Sequence, residues 1–173
     1  IAPMTKTMTT TLLAALLLIP SCLNPGEVAN KDKVIAGMSK TIVKSFPKVS
    51  HLSVEEFQKD PKFLLIDVRS QRERDISMIS GAISKSQFEL QRETYKDRIP
   101  VAYCTIGQRS SQYIQDLAKK EKIHGFSLKE GILGWVNRSL PLVDPKGQPT
   151  FKVHVMSEAW NFTQEPYKGV WDE

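Results

Sequence analysis

Cys104 stands in the segment Tyr103-Cys104-Thr105-Ile106-Gly107-Gln108-Arg109-Ser110. The apolar run Val101-Ala102-Tyr103 leads into it, and a helix-like stretch from Ser110 to Lys120 follows. A thiol at such a strand-to-helix turn meets backbone N–H groups and the positive end of a helix, and both favour a thiolate over a thiol. Successive N–H groups of Thr105, Ile106, Gly107, Gln108 and Arg109 can form a nest for that thiolate or for a bound anion. Gly107 gives the loop backbone a freedom that a side chain would restrict. Arg109 carries a fixed positive charge that can hold an anion or brace the loop. The chemistry expected of such a group is nucleophilic attack by a partly exposed sulfur with formation of a covalent intermediate.

The elements that must position this loop read as alternating strands and helices. Phe63-Leu64-Leu65-Ile66 is a short apolar run that ends at Asp67 and reads as a buried strand. Ser53 with Glu56 three residues later has capping-box spacing. A polar helix is expected over Gln71–Ile76, a short strand at Gly81–Ile83 and a helix from Phe88 to Tyr95. Pro100 opens the strand Val101–Tyr103, and Tyr113, Ile114, Leu117 and Ala118 form one apolar face of the next helix. A last short strand is expected at Gly125–Leu128, followed by a turn into a short helix over Gly131–Asn137. Alternation of this kind implies an α/β domain with a mainly parallel central sheet. Such sheets bind ligands at the carboxyl ends of their strands. Asp67 and Cys104 each follow a strand directly, so both belong on one edge of the sheet, with Arg69 and Arg109 just beyond.

The 173 residues suit one domain with a real core, at 40% hydrophobic and 25% charged content. The net charge of +5 is modest, and Lys and Arg are scattered among Asp and Glu, so nucleic-acid binding is not expected. His51, His124 and His154 are far apart in sequence and form no ligand-spaced pair, so neither a metal site nor another cofactor is expected. Residues 1–21 read as an export signal: Lys6, then the apolar run Leu12–Ile19, which is far shorter than the ~18 residues of a membrane span. Met4 or Met8 is the expected start. Residues 22–47 read as a tether, Leu23–Lys31, and an amphipathic helix in which Val34, Ile35, Met38, Ile42, Val43 and Phe46 recur at helical spacing until Pro47. Residues 48–144 form the expected catalytic domain. Residues 145–173 form a C-terminal extension, strand-like at Phe151–Val155 and rich in aromatics at Trp160, Phe162, Tyr167 and Trp171. Its expected role is to pack across the domain.

Three segments in order resemble the rhodanese superfamily. The first is Leu65-Ile66-Asp67-Val68-Arg69 with Glu73 and Ile79-Ser80-Gly81-Ala82. The second is the loop from Cys104 to Ser110, with Cys first and Arg last. The third is Gly131-Ile132-Leu133-Gly134-Trp135 followed by Leu140-Pro141-Leu142. Arg74 departs from the aromatic that follows Glu in that family, Ser77, Met78 and Ser80 depart from its next motif, and Glu130 stands where many members have a first Gly. The resemblance implies a three-layer rhodanese-like domain and a sulfurtransferase. A sulfane sulfur would pass from a small anionic donor such as thiosulfate to Cys104, and from that persulfide to cyanide or a thiol. It implies that Asp67 and Arg69 brace the loop through hydrogen bonds and ion pairs.

Leu18-Ile19-Pro20-Ser21-Cys22 resembles a bacterial lipobox, which implies a protein lipidated at Cys22 and anchored by lipid to the membrane of a bacterial cell envelope. The alternative is a soluble periplasmic or secreted protein. Other readings stay open for Cys104: a buried structural thiol, a binding or sulfide-sensing module, or a phosphatase or arsenate reductase. The last families place five residues between Cys and Arg, whereas here Thr105, Ile106, Gly107 and Gln108 make four. The residues specify no protein partner.

Overall fold

The computed structural model describes residues 25–172. Cys22 and the apolar run Leu12–Ile19 lie outside the described residues, and with them the expected signal and lipidation site. Helix α1, Pro25–Ser45, comes first. It starts inside the stretch expected to be a tether: Pro25 takes the first helical position, where its missing N–H leaves no bond unmade and its fixed φ suits the helix. Ile35 and Ile42 of α1 are buried, as is Phe46 just beyond its end. No helix among the described residues is long and apolar enough to cross a membrane.

Strand β1 (Ser50–Leu52), helix α2 (Val54–Phe57), strand β2 (Phe63–Asp67) and helix α3 (Gln71–Ile76) follow. Both helices start at a full capping box, Ser53 with Glu56 and Ser70 with Glu73. Then come β3 (Met78–Ile79), β4 (Ile83–Ser84), α4 (Lys85–Leu90), a 3-10 turn at Arg92–Tyr95, β5 (Ile99–Tyr103) and α5 (Gln108–Glu121). The helix expected over Phe88–Tyr95 thus breaks at Gln91, where the backbone leaves helical geometry. The chain closes with β6 (Phe126–Leu128), α6 (Gly131–Val136), β7 (Leu142–Val143), β8 (Pro149–Thr150), β9 (Lys152–His154) and β10 (Lys168–Val170).

Five strands form the central sheet in the order β1-β6-β5-β2-β4, and every pairing in it is parallel. Parallel strands are covered on both faces, which is why β2 and β5 read as continuous apolar runs rather than alternating ones. Leu64, Ile66 and Ala102 face a core built with Ile35 and Ile42 of α1, Phe88 of α4, and Tyr113, Ile114 and Leu117 of α5. Leu65, Val101 and Tyr103 face the opposite core with Val54 of α2 and Ile132, Trp135 and Val136 of α6. The fold is therefore a three-layer α/β sandwich. Asp67 and Tyr103 are register partners, so Val68 and Cys104 leave the same edge of the sheet side by side.

Candidate active site

Cys104 is the first residue after β5, and its side chain lies at the base of a cavity of about 510 Å³. It is 1% exposed, less than expected from its position at a turn, because Ile132 and Leu133 of α6 close over the loop from behind. Among the described residues, Cys104 lines this cavity together with Thr105, Ile106, Gln108 and Arg109. Gly107 caps α5 with φ +116°, in the left-handed region that a side chain would strain. That turn brings the Gly107 N–H to 3.2 Å from Sγ, and the Ser110 hydroxyl to 3.8 Å.

The direction of the loop's amides follows from where its carbonyls are tied. The Ile132 N–H donates to the Cys104 carbonyl at 2.9 Å, and the Leu133 N–H donates to the Thr105 carbonyl at 3.2 Å. These two amides belong to the unsatisfied first turn of α6. Gly131 makes the approach possible: its φ is +53°, and a Cβ there would lie 2.3 Å from the Cys104 carbonyl oxygen. With the carbonyls turned towards α6, the N–H groups of Thr105, Ile106, Gln108 and Arg109 donate to no acceptor among the described residues. Those of Gln108 and Arg109 open the 14-residue helix α5, whose dipole adds to their positive charge. Amides left without acceptors at the start of a helix are the arrangement an anion nest requires, and the Gly107 N–H already donates to the sulfur.

Arg109 is held by Glu73. Its two terminal nitrogens donate to the two Glu73 carboxylate oxygens at 2.8 and 2.7 Å, and one of them donates to the Thr105 hydroxyl at 3.0 Å. Glu73 is also the capping residue of α3, accepting the Ser70 N–H at 2.8 Å. Burial alone would raise the Glu73 pKa. The Arg109 and Ser70 hydrogen bonds outweigh it and hold the carboxyl at about 2. Glu73 thus ties the end of the Cys104 loop to α3. The spacing Ser70-x-x-Glu73 marks a capping box in the sequence as plainly as Ser53-x-x-Glu56 does, but the pairing of Glu73 with Arg109 has no local signal.

A depressed pKa gives stability that is present above the unfolded value of 4.5 and is lost as pH falls towards 2. Glu73→Gln is therefore expected to be less stable than wild type near pH 7, with the gap closing below pH ~4. A shift of this size converts to roughly 3 kcal/mol, and screening around half-exposed Arg109 reduces it to about 2. Urea titrations of both proteins across this range check it; a gap that does not change with pH would show that Glu73 contributes packing rather than charge.

Asp67 and Arg69 lie one layer back and do not touch residues 104–109. They form a fully buried fork: Arg69 Nη2 is 2.7 Å from Asp67 Oδ2, and Arg69 Nε is 3.0 Å from Asp67 Oδ1. Asp67 also accepts the Tyr103 hydroxyl at 2.5 Å, and Arg69 donates to the Ser77 carbonyl at 2.7 Å. The same Tyr103 hydroxyl accepts the Ile79 N–H at 3.1 Å. This network is one residue removed from Cys104 itself. It fixes Tyr103, the residue before Cys104, and the segment Ser77–Ile79. The loop itself is braced by Glu73.

The C-terminal extension does more than cover the core. Val153, Val155 and Tyr167 are buried, as a packed extension requires. His154, Met156, Trp160 and Asp172 line the cavity facing Cys104, Ile106 and Arg109. Asp172 forms an exposed ion pair with Arg72 of α3 at 2.5 Å, and both residues line the cavity. Aromatic spacing alone gave no sign of this, since the contacts join residues a hundred positions apart. No cluster of three or more His, Cys, Asp or Glu among the described residues is placed to hold a metal ion.

Comparison with known proteins agrees with this geometry. Residues 50–138 match the family model described as a rhodanese-like domain. A sulfurtransferase of Allochromatium vinosum is 33% identical over 87 residues, which cover 49% of this chain and 81% of that protein. Among solved structures, a thiosulfate sulfurtransferase from Pseudomonas aeruginosa superposes with a TM-score of 0.51 at 19% identity, covering 72% of this chain and 25% of that one. A rhodanese-related protein from Thermoplasma volcanium superposes with a TM-score of 0.46 at 19% identity, covering 54% of this chain and 97% of that one. The family match ends before the C-terminal extension and begins after α1, so both are additions to the shared domain.

Proposed function

This chain belongs to the rhodanese-like family, and from that premise we propose that it is a sulfurtransferase working through a Cys104 persulfide. The observation that carries the reading is the sulfur of Cys104 lining a cavity, in a loop whose Gly107 N–H donates to it and whose other amides have no acceptor among the described residues. The Cys104 thiolate attacks the sulfane sulfur of a donor such as thiosulfate. A new S–S bond forms to Cys104, and the S–S bond of the donor breaks with its electron pair leaving on sulfite. The terminal sulfur of the persulfide carries the negative charge and sits among the loop amides. An acceptor, cyanide or a thiolate, then attacks that terminal sulfur, and Cys104 departs as a thiolate. The two half-reactions make a ping-pong scheme.

The nest serves each anionic stage without moving, which is what preorganised donors contribute to catalysis. Three of the five guanidinium donors of Arg109 are committed to Glu73 and Thr105, which leaves two for a donor anion. Arg109→Ala is expected to lower kcat/KM for thiosulfate by tenfold or more, a loss of about 1.4 kcal/mol, and to slow alkylation by a neutral reagent less. Equal losses with both reagents would mean that Arg109 only holds the loop. Assay of the purified domain with thiosulfate and cyanide, beside a phosphate ester, tests the function as a whole: thiocyanate without phosphate release is expected. Phosphate release instead would favour the phosphatase reading, and neither product would favour a binding module.

The place we propose for the protein is the bacterial cell envelope, anchored by lipid at Cys22. The support is the run Leu18-Ile19-Pro20-Ser21-Cys22 after a short apolar stretch. Two acyl chains give stable anchoring where one does not. Partition of the full chain into the detergent phase is expected. A protein that stays in the aqueous phase, with an N-terminus other than Cys22, would make it an ordinary exported enzyme.

A further inference from the structure

The Cys104 cavity adjoins a second groove of about 480 Å³, and Ile106, Gln108 and Trp160 line both. The floor of this groove is one face of α1: Lys33, Val34, Gly37, Met38, Thr41 and Ile42. These positions follow the i, i+4 spacing of a single helical stripe. Its ends differ in character. Ile42 abuts the catalytic loop, since a Cβ on Gly107 would meet Ile42 Cγ2 at 3.9 Å. Lys33 lies nine residues away, which is about 13 Å along the helix, and no described residue pairs with its ammonium group. Between them the lining is apolar, and Val34 is 37% exposed there despite its size.

Gly37 keeps the groove open. It sits inside a 21-residue helix, where glycine costs roughly 0.5–1 kcal/mol relative to alanine. Nothing in its backbone requires glycine, and a Cβ at this position meets no atom within 4 Å. No described residue therefore fills the space above it. Thr41 turns its hydroxyl back onto the Gly37 carbonyl at 3.1 Å, which removes a polar group from the same floor.

Thiosulfate and cyanide are far too small to use this space. We propose that the groove holds the body of the sulfur acceptor, an organic thiol on an apolar chain of medium length that ends in an acid group at Lys33. The proposal rests on Cys104 acting as a sulfur carrier. A slender occupant is favoured because Cys104 is 1% exposed, and the cavity it lines is walled on one side by Trp160. Together the two spaces fall in the size range of small-molecule sites, with the same mostly apolar lining and few polar groups. In the transfer step the acceptor thiol gives its proton to solvent as it enters. Its thiolate bonds to the terminal persulfide sulfur, and the bond from that sulfur to Cys104 breaks with the electron pair on Cys104.

The test compares mercaptoacetate with mercaptooctanoate as acceptors, with thiosulfate as donor, in wild type and in Gly37→Phe. The wild type is expected to favour the longer acceptor by tenfold or more in kcat/KM. Gly37→Phe is expected to bring that ratio close to one, and a ratio is insensitive to any general loss of active protein. The wild-type comparison stands even if the variant does not fold. Equal use of the two acceptors by wild type, or an unchanged ratio in a folded variant, would overturn the proposal. So would a clear preference for a cysteine-containing peptide over mercaptooctanoate, which would make the groove a protein-docking surface. Failure of Cys104 to take up sulfur from thiosulfate at all would instead remove the sulfurtransferase reading beneath it.

Discussion

Cys104→Ser is expected to abolish sulfur transfer while leaving the fold intact. Serine fits the same space and its oxygen can still accept the Gly107 N–H, which donates to the Cys104 sulfur at 3.2 Å. It cannot form a persulfide, so both half-reactions stop and thiocyanate production falls to background. Because Cys104 is buried, a structural role would show itself as a stability loss above roughly 2 kcal/mol. Denaturant midpoints of the two proteins separate these outcomes. Turnover that survives the substitution would sink the covalent mechanism.

Gly131→Ala is the second change with a large expected effect, and it acts without touching a reacting atom. Its Cβ would stand 2.3 Å from the carbonyl oxygen of Cys104 and 2.7 Å from that of Thr105, both backbone atoms of the catalytic loop. The loop must move, and the Ile132 and Leu133 amides lose the carbonyls they hold. Once those carbonyls are free to turn, the nest loses its shape. A fall in kcat/KM of at least a hundredfold is expected, with a stability loss of about 2–4 kcal/mol. Gly81→Ala is the control. Gly81 also has a positive φ, +81°, but a Cβ there meets nothing within 4 Å. Its cost is that of backbone strain alone, roughly 1–2 kcal/mol, with activity retained. Similar losses from the two variants would mean that the α6 contact does not shape the loop.

The parts of this site that were legible in the sequence are those fixed by local chemistry. Val101-Ala102-Tyr103 before Cys104, and a glycine before a helical pattern, give a strand-to-helix turn, and β5 and α5 flank it as that pattern requires. The rule for parallel sheets put Asp67 and Cys104 on one edge, where the register of β2 with β5 has them. Strand β1 was harder to see because Ser50-His51-Leu52 is too short for a period to emerge, and its place at the sheet edge comes only from pairing with β6.

What stayed hidden was the choice of partner at long range. Asp67, Arg69 and Glu73 are all charged residues near one strand end. Nothing local says that Asp67 keeps Arg69 and Tyr103 while Glu73 takes Arg109, which lies 36 residues further along the chain. The packing decides it: Arg69 is wholly enclosed and needs an enclosed counter-charge, whereas Arg109 stands at the cavity with its side chain 44% exposed. The extension was legible as strand-like over Phe151–Val155, where β9 forms at Lys152–His154, but its parallel pairing with β10 and its contribution to the cavity wall depend on the whole fold. Glu130 takes φ +63° without being glycine and forms a 2.7 Å ion pair with Arg138. The adjoining Gly131 makes the close approach to the loop.

Mass measurement of the protein after brief exposure to thiosulfate tests the central claim most directly. One added sulfur atom per chain is expected, carried by the peptide that contains Cys104, and addition of cyanide should remove it with release of one equivalent of thiocyanate. A chain that takes up no sulfur, or that carries it on a residue other than Cys104, would contradict the account.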